Sequence, residues 1–247
     1  MIISHKHNYL FVETPRTGTT SIGNELVKNY GGERILGKHS THFEFKNIAT
    51  SDELKYYKFT GVRNPLDSLI SFYHKTFNDK HVRNENTINF SQKMRRQKSL
   101  TMLLTAAYYK LQSDFMSENE VSFSVFFKRY CKFPYTNPVD IDYGFFDKVL
   151  RFETLQSDFT DSLEFLGLKQ IRPLPFVNVT KKSSKLFWDY YTDDIKEGAV
   201  SLFGPFMERF NYEFPDYWEH NISKRDYFNY HFSKKIKYFY YKSRYLF

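Results

Sequence analysis

A stretch of small hydroxylated residues early in the chain has the composition of an anion-binding loop. It covers residues 13–21, E-T-P-R-T-G-T-T-S, between an apolar run at residues 9–12 and a segment with apolar residues at helical spacing. A strand, a tight loop and a helix start bring backbone amides and the positive end of a helix dipole to one point. Arg16 adds a permanent cation suited to a phosphate or sulfate oxygen. The loop predicts an oxyanion site, with a Thr-rich turn that only caps a helix as the alternative.

This loop differs from the two common nucleotide-binding loops. The pattern G-x-x-x-x-G-K-[ST] needs a Lys after its last Gly, whereas here Thr19 follows Gly18 and the first Gly is missing. The pattern G-x-G-x-x-G is not present either, which argues against a dinucleotide. A small-molecule kinase that depends on Mg²⁺ is therefore a weaker alternative.

A second segment has the form of a strand end, a loop and a helix start. Residues 60–73 read T-G-V-R-N-P-L-D-S-L-I-S-F-Y, so Arg63 follows the strand and Ser71 lies two turns into the helix. In parallel α/β sheets, ligands bind beyond the carboxyl ends of the strands. Two such strand ends suit a nucleotide that carries phosphates on both sides of its ribose.

Together the two segments resemble the sulfotransferases that use 3′-phosphoadenosine 5′-phosphosulfate. Residues 14–21 are similar to the family's 5′-phosphosulfate loop, commonly P-K-T-G-x-T-S, and residues 62–73 to its 3′-phosphate motif, V-R-N/D-P-x-x-R-x-x-S-x-Y. The similarity spans roughly residues 8–215 and is greatest to the carbohydrate branch, which is membrane-type and bacterial. It implies a P-loop-containing, three-layer α/β fold with a central parallel sheet flanked by helices.

The resemblance assigns the donor site residue by residue. It implies that the donor is bound by Arg16, Thr17, Gly18, Thr19, Thr20, Ser21, Arg63 and Ser71, with Asn178 as a weaker match. Arg16 would also be catalytic, by neutralising the leaving 5′-phosphate. This chain departs from the pattern at three positions: Arg16 replaces the usual Lys, Ser68 replaces a second Arg, and Asn211 replaces a Gly. Asn tolerates the positive φ that such a Gly provides.

Two histidines are candidates for the catalytic base that a hydroxyl acceptor requires. His39 and His42 follow the first predicted helix, where the carbohydrate branch often has its catalytic His. Their spacing of three would put them on one side of a helix. A surface polar role is a close alternative for His42, and Glu13 and Glu44 are secondary candidates.

The function implied is transfer of a sulfuryl group from 3′-phosphoadenosine 5′-phosphosulfate to a hydroxyl of a carbohydrate or glycolipid, by in-line attack. The alternative is a non-catalytic nucleotide- or anion-binding module with a basic tail for membrane or nucleic acid. No metal is predicted, because His5 and His7 have no third ligand at a usable spacing.

Composition limits the class of protein. The chain has 247 residues, a net charge of +8 and one cysteine, Cys131, which excludes an intramolecular disulfide. Its sequence shows neither an apolar run of the ~20 residues that a membrane span needs nor a signal-like apolar segment. The expectation is a cytoplasmic protein, with the inner membrane face as a further possibility.

The positive charge is concentrated in residues 224–247. This segment has seven Lys/Arg against one Asp, a net +6, interleaved with ten aromatic residues. The pattern favours a helix that packs through aromatic residues and exposes its cations. Contact with an anionic membrane surface is the second interpretation. Nucleic acid is third, because the rest of the chain has no matching basic stripe.

Periodicity predicts the elements and their organisation. Strands are expected at residues 9–12, 57–62 and 148–152, and helices at 22–27, 66–77, 100–111, 121–130, 154–166 and 193–210, with a weak helical signal at 52–57. We expect one α/β domain over residues 1–220, with 78–98 as a lid or substrate insertion, and a basic aromatic tail at 221–247.

Overall fold

The structure is a computed structural model that describes residues 1–78, 121–175 and 186–244. The chain forms two compact units. The first comprises Met1–Pro65, Phe133–Lys181 and Val200–Phe247, and the second comprises Leu66–Lys132 and Lys182–Ala199. The lid predicted at 78–98 lies outside the described residues except for Asn78, which ends a helix, and the helix predicted at 100–111 also lies outside them. A single domain over residues 1–220 stays a prediction.

A five-stranded mixed sheet forms the framework of the first unit. Its strands are β1 (Ile2–Ser4), β2 (Tyr9–Val12), β3 (Glu33–Arg34), β4 (Tyr57–Val62) and β5 (Lys148–Arg151), in the spatial order β3-β1-β2-β4-β5. The three predicted strands pair in parallel, β2 with β4 and β4 with β5. The expected parallel sheet is corrected at one edge, because β1 pairs antiparallel with both β2 and β3. Two- and three-residue strands give too little periodicity to be read from sequence.

The described helices follow most of the predicted positions. They are α1 (Thr19–Asn29), α2 (His42–Lys46), α3 (Pro65–Asn78), α4 (Phe123–Tyr130), α5 (Pro138–Ile141), α6 (Leu155–Phe165), α7 (Asp193–Arg209) and α8 (Lys224–Arg244). The signal at 52–57 corresponds to one 3-10 turn, Glu53–Lys55, followed by β4. In the described part of the chain, no helix has both the length and the apolar character to cross a bilayer.

Apolar strands and helix faces build the core of the first unit. Its buried residues come from β1, β2, α1, β4, β5 and α6, and include Tyr9, Phe11, Ile22, Phe59 and Phe159. Strands buried on both faces read as continuous apolar runs, as Tyr9–Val12 does. The carboxyl ends of β2, β4 and β5 therefore lie side by side, and the residues that follow them form the candidate site.

The second unit is held together by aromatic side chains. Tyr73 of α3 packs edge-on against Phe123 of α4, with ring centres 5.3 Å apart, and its hydroxyl donates to the carbonyl of Val121 at 2.7 Å. Tyr191 is buried, packs against Phe123 and donates to the carbonyl of Leu66 at 3.0 Å. Tyr73, Phe123 and Tyr191 therefore form part of the core of the second unit.

Two helices are followed by residues in the left-handed backbone conformation, and the one at Asn211 was predicted from its residue type. α6 stops before Gly167, whose φ is +69°, and the amide of Leu168 donates back to the carbonyl of Leu163 at 2.8 Å. Asn211 follows α7 with φ +53°, the left-handed conformation for which Asn is tolerated in place of Gly.

Candidate functional site

The loop after β2 is held in shape by its own threonines. The hydroxyls of Thr17 and Thr19 donate to the carbonyl of Thr14 at 2.9 and 3.2 Å. The Thr14 hydroxyl is 2.8 Å from that of Thr60, which itself lies 2.9 Å from the carbonyl of Val12. The threonine hydroxyls thus serve the loop, and Thr17 and Thr19 can offer a ligand mainly their backbone amides.

Two left-handed residues shape the loop backbone. Arg16 has φ +68° and Gly18 has φ +73°, with an ordinary φ at Thr17 between them. Such alternation makes the amide-lined concavities that bind anions. A Cβ on Gly18 would come within 2.4 Å of Leu155 Cδ2, and the φ of +73° is one that residues with a side chain rarely adopt, so the position favours glycine. Positive φ at a non-glycine residue such as Arg16 is costly and is concentrated at functional sites.

At the start of α1, no side chain of the described residues caps the helix amides. The N-cap is Gly18, which supplies no capping hydrogen bond, and the first turn contains no acidic residue. The first amides of a helix have no acceptor within the helix and carry part of the positive end of its dipole. The amides of Thr19 and Thr20 are therefore suited to an oxyanion.

The structure brings Arg63 to this loop. Arg63 directly follows β4, and its Nη1 donates to the carbonyl of Arg16 at 3.3 Å. Its guanidinium lies 4.2 Å from the centre of the Phe152 ring, which follows β5. This cation–π contact fixes the orientation of the guanidinium. Arg63 and Arg16 thus meet at the carboxyl edge of the parallel strands.

His39 is also anchored to the loop. Its Nδ1 lies 2.9 Å from the carbonyl oxygen of Glu13, the residue that opens the loop. A carbonyl can only accept, so Nδ1 is the donor, and in the neutral imidazole the lone pair is on Nε2. The side chain is exposed. A histidine held in this tautomer can accept a proton from a hydroxyl group.

His42 lies in a different environment from the expected one. Its side chain is fully buried, with the rings of Phe43, Phe145 and Phe146 between 4.2 and 5.1 Å from its own. Burial lowers its pKa, and its Nε2 is 3.3 Å from Oδ2 of Asp142. A side chain enclosed by three phenyl rings has no access to an acceptor, so of the two histidines we retain His39 as the candidate base, and Glu44 stays a secondary candidate.

Glu13 is occupied in a buried ion cluster. Its Oε2 accepts from the Met1 amino group at 2.6 Å, and its Oε1 is 3.4 Å from Nη1 of Arg34. The carboxylate also lies against Gly23 of α1, where a Cβ would approach Oε1 to 2.9 Å. This carboxylate supports the loop from below and is not a base at its surface.

Several residues at the site were not singled out from the sequence. Lys38 donates to the Thr20 hydroxyl at 3.0 Å and adds a cation to the start of α1. After β5, Glu153 accepts from the amide of Asn64 at 2.9 Å and from the Tyr212 hydroxyl at 2.9 Å. The rule that ligands bind beyond the strand ends could have identified Glu153, because it follows a predicted strand.

Tyr212 and Arg151 complete this network. Burial, followed by the charge of Glu153, raises the pKa of Tyr212 far above its usual value, so its hydroxyl remains a donor. The Arg151 guanidinium lies 4.4 Å from the centre of the Tyr212 ring. Its Nε is buried and has no hydrogen-bond partner among the described residues. The network links the ends of β4 and β5 to the residues after α7.

The remaining predicted donor residues are Ser71 and Asn178. Ser71 is half-buried on α3 in the second unit, and Ser68, which replaces the family's second Arg, is buried there. Asn178 lies outside the described residues. Their contribution to a donor site stays a prediction.

The other reactive side chains do not suggest a competing centre. Burial raises the pKa of the Cys131 thiol to about 12, so it is not a thiolate at neutral pH. Over residues 1–78, 121–175 and 186–244, no three His, Cys, Asp or Glu side chains are grouped as metal ligands.

Comparison with protein families agrees with this geometry. The family model described as the sulfotransferase family matches residues 1–201, which is most of the chain. The chain belongs to the sulfotransferase family. The match contains the loop, Arg63, His39 and Glu153 of this sulfotransferase and ends within α7. Searches of the curated proteins and of the solved structures gave no match.

Proposed function

We propose that this sulfotransferase transfers a sulfuryl group from 3′-phosphoadenosine 5′-phosphosulfate to a hydroxyl of a carbohydrate or glycolipid. Family membership supports sulfuryl transfer in general. The sugar acceptor rests on the similarity of the two motifs to the carbohydrate branch. The donor rests on the chemistry of the loop and of Arg63.

The loop fits the 5′ end of the donor. The amides of Thr19 and Thr20 lack acceptors within α1, Lys38 brings a cation to this end of the helix, and Arg16 belongs to the loop that leads into it. Such an arrangement stabilises charge that builds on a phosphate oxygen as its bond to sulfur breaks. In this proposal the threonine hydroxyls keep the loop in shape and do not bind the donor.

Arg63 fits the 3′-phosphate. Its guanidinium is held on the Phe152 ring and by the Arg16 carbonyl, so part of the ordering cost is met before a ligand binds. A planar guanidinium can bind two phosphate oxygens at once. Ser71 joins it only through the family resemblance.

His39 is the proposed base. Its Nε2 accepts the proton of the attacking hydroxyl while that oxygen bonds to sulfur, and the electron pair of the broken sulfur–oxygen bond remains on the leaving phosphate. The observation that carries the proposal is the 2.9 Å contact between His39 Nδ1 and the Glu13 carbonyl. It joins the base to the residue that opens the loop after β2, and in the neutral imidazole it directs the lone pair to Nε2.

Calorimetry with adenosine 3′,5′-bisphosphate tests the donor site. We expect metal-independent binding that Arg63→Ala weakens about 10- to 100-fold, the range for losing hydrogen bonds to a charged group. Arg225→Ala, at an exposed arginine on α8, is the matched control and should bind like the wild type. Binding that requires Mg²⁺, or that is indifferent to Arg63, contradicts the proposal.

His39→Ala separates catalysis from binding. The variant should bind the bisphosphate as the wild type does, but transfer labelled sulfate to a panel of sugar acceptors about 10²- to 10⁴-fold more slowly. Loss of binding and transfer together would make His39 a structural residue of the loop. Full binding by the wild type without transfer to any hydroxyl compound would favour a non-catalytic module.

A further inference from the structure

The helix α8 is docked to the first unit through one face only. On that face Tyr230 is buried and donates to Asp140 at 2.7 Å, and Lys234 donates to the same carboxylate at 2.7 Å. The ring of Tyr241 stacks on Phe43 with centres 5.4 Å apart. Lys237, on the same side of the helix, donates to the Thr136 hydroxyl. This side of α8 therefore packs within the first unit.

The opposite side of α8 presents phenyl rings to solvent. Phe228, Phe232 and Phe239 are 68%, 58% and 60% exposed. At about 100° per residue, the spacing i, i+4, i+11 keeps these three side chains within roughly 40° of one another around the helix. The rings of Phe228 and Phe232 lie parallel, 6.2 Å apart. They form a continuous apolar stripe and not scattered exposed residues.

A row of lysines runs beside this stripe. Lys224, Lys235 and Lys242 are exposed and follow one another at 11 and 7 residues, which returns each to nearly the same side of the helix. We call these three lysines and the three phenylalanines the outer face of α8. Asp226 is the one acidic residue in the helix and is bonded to Ser201 and Ser223, so it does not neutralise this row.

Apolar rings next to uncompensated cations match the boundary of an anionic bilayer. There, phenyl groups enter the region between headgroups and acyl chains, while lysine stems lie along it and their ammonium groups reach the phosphates. An apolar protein partner would satisfy the rings but bury the lysine row against them. A soluble polyanion would satisfy the lysines and leave the phenyl rings in water.

We propose that the outer face of α8 binds the surface of a bilayer rich in anionic lipids. The helix lies flat on the membrane and does not cross it, and its docked face keeps the first unit attached. The proposal uses none of the residues of the donor site. It can therefore fail while the proposed transferase activity stands, and the reverse is equally true.

Sedimentation with lipid vesicles tests the proposal on the full chain. We expect binding to vesicles that contain a third of phosphatidylglycerol, little binding to pure phosphatidylcholine, and weakening as salt is raised. The combined change Lys224→Gln, Lys235→Gln and Lys242→Gln should lower partitioning on the order of 100-fold, since each cation near such a surface contributes several-fold. Phe228→Ser, Phe232→Ser and Phe239→Ser together should lower it at least as much.

Matched controls keep the result specific to the outer face. Lys6→Gln, Lys132→Gln and Lys169→Gln remove the same charge from exposed sites elsewhere, and Phe133→Ser with Ile171→Ser removes exposed apolar groups. Both controls should bind like the wild type. Phe232→Trp keeps an aromatic ring and should bind vesicles normally. Its tryptophan emission should shift to the blue on anionic vesicles. Such a signal shows contact in a folded chain, so misfolding would not explain the loss of binding in the serine variants.

Three outcomes overturn the proposal. The first is a wild-type chain that does not sediment with anionic vesicles. The second is equal binding by the outer-face variants and their controls. The third is a lipid-free dimer that the Phe→Ser variant dissociates, because a second copy of the chain would then cover the outer face.

Discussion

His39 and His42 are only three residues apart, yet their environments are opposite. His39 is exposed and is oriented by a backbone carbonyl, which leaves one ring nitrogen available. His42 is enclosed by phenyl rings next to Asp142. The helix α2 begins at His42, and His39 precedes it with φ +68°, so the spacing of three does not place them on one helical side. Both residues were candidates because histidine can act as a base. The backbone conformation between them places one side chain at the surface and the other in the core.

The buried histidine should make stability depend on pH. Burial lowers the pKa of His42, so the folded chain resists a proton that the unfolded chain binds below about pH 6.5. Stability is then fully present above that pH and is lost as the pH falls. Asp142 also makes the folded state less stable as the pH falls, but at lower pH. Its bonds to His42 and Lys46 hold its pKa at about 2, so its contribution to stability is lost from about pH 4 downward.

His42→Phe should therefore flatten the acid limb of the stability profile. We expect the loss in unfolding free energy between pH 7 and pH 5 to shrink by up to about 2 kcal/mol, the limit for one proton over this interval. Urea unfolding at both pH values measures it, with His231→Phe at an exposed histidine as control. Bisphosphate binding should be unchanged, and a variant that folds but no longer transfers sulfate would return His42 to the active site.

At the scale of elements, the conformation of the loop after β2 depends on its close contact with β4. Gly61 lies in β4. A Cβ added to it would lie 2.5 Å from Oγ1 of Thr17 and 2.8 Å from Cβ of Thr17. Thr17 cannot turn away without giving up its bond to the Thr14 carbonyl. The loop can therefore pack this closely against β4 only because residue 61 has no side chain.

Gly61→Ala should disturb both stability and donor binding. The added methyl must displace the loop, which costs about 1–3 kcal/mol as overpacking, and we expect at least tenfold weaker bisphosphate binding. Thermal unfolding and calorimetry measure the two effects. Gly144→Ala is the matched control, since no atom lies within 4 Å of its Cβ position. Unaltered binding in Gly61→Ala would mean that the loop adapts and is not preorganised.

At the scale of the molecule, most of the net positive charge lies on α8, and the Asp140 carboxylate binds this helix to the rest of the first unit. The segment Lys224–Arg244 contains seven Lys/Arg and one Asp, a net +6 of the total +8. Asp140 is fully buried, and its Oδ1 accepts from Tyr230 and Lys234 of α8 and lies 2.9 Å from Nε of Arg209 in α7. Asp140 lies in α5, so these contacts link α5 to α7 and α8.

Asp140→Asn should loosen α8 from the first unit. The change leaves two cations facing a neutral amide, and breaking a buried pair in this way costs about 3–5 kcal/mol. We expect a lower urea midpoint and faster hydrogen exchange in Lys224–Arg244 than elsewhere in the unit. Asp52→Asn breaks the exposed pair with Lys55 and should cost at most about 1 kcal/mol. Equal protection of α8 in both variants would refute this role of Asp140.

Local patterns were sufficient for much of the framework. Buried parallel strands appear as apolar runs, and a Gly after a periodic segment ends a helix, so β2, β4, β5 and the end of α6 were predicted from residues alone. The short strands β1 and β3 were not, because their pairing depends on contacts distant in sequence. The two segments that resemble the family's motifs were recognisable because each motif is a short, local run of residues.

The sequence by itself determined the loop, the Arg that follows β4, and the basic aromatic character of residues 224–244. Only the tertiary structure decided that Arg63 meets the Arg16 carbonyl, that the loop threonines bond to the loop itself, and that His42 is buried. It also divided α8 into a face docked on Asp140 and an outer face of phenylalanines and lysines. The reason is physical: residue types set what a side chain can do, whereas burial and partners, which come from distant parts of the chain, set what it does.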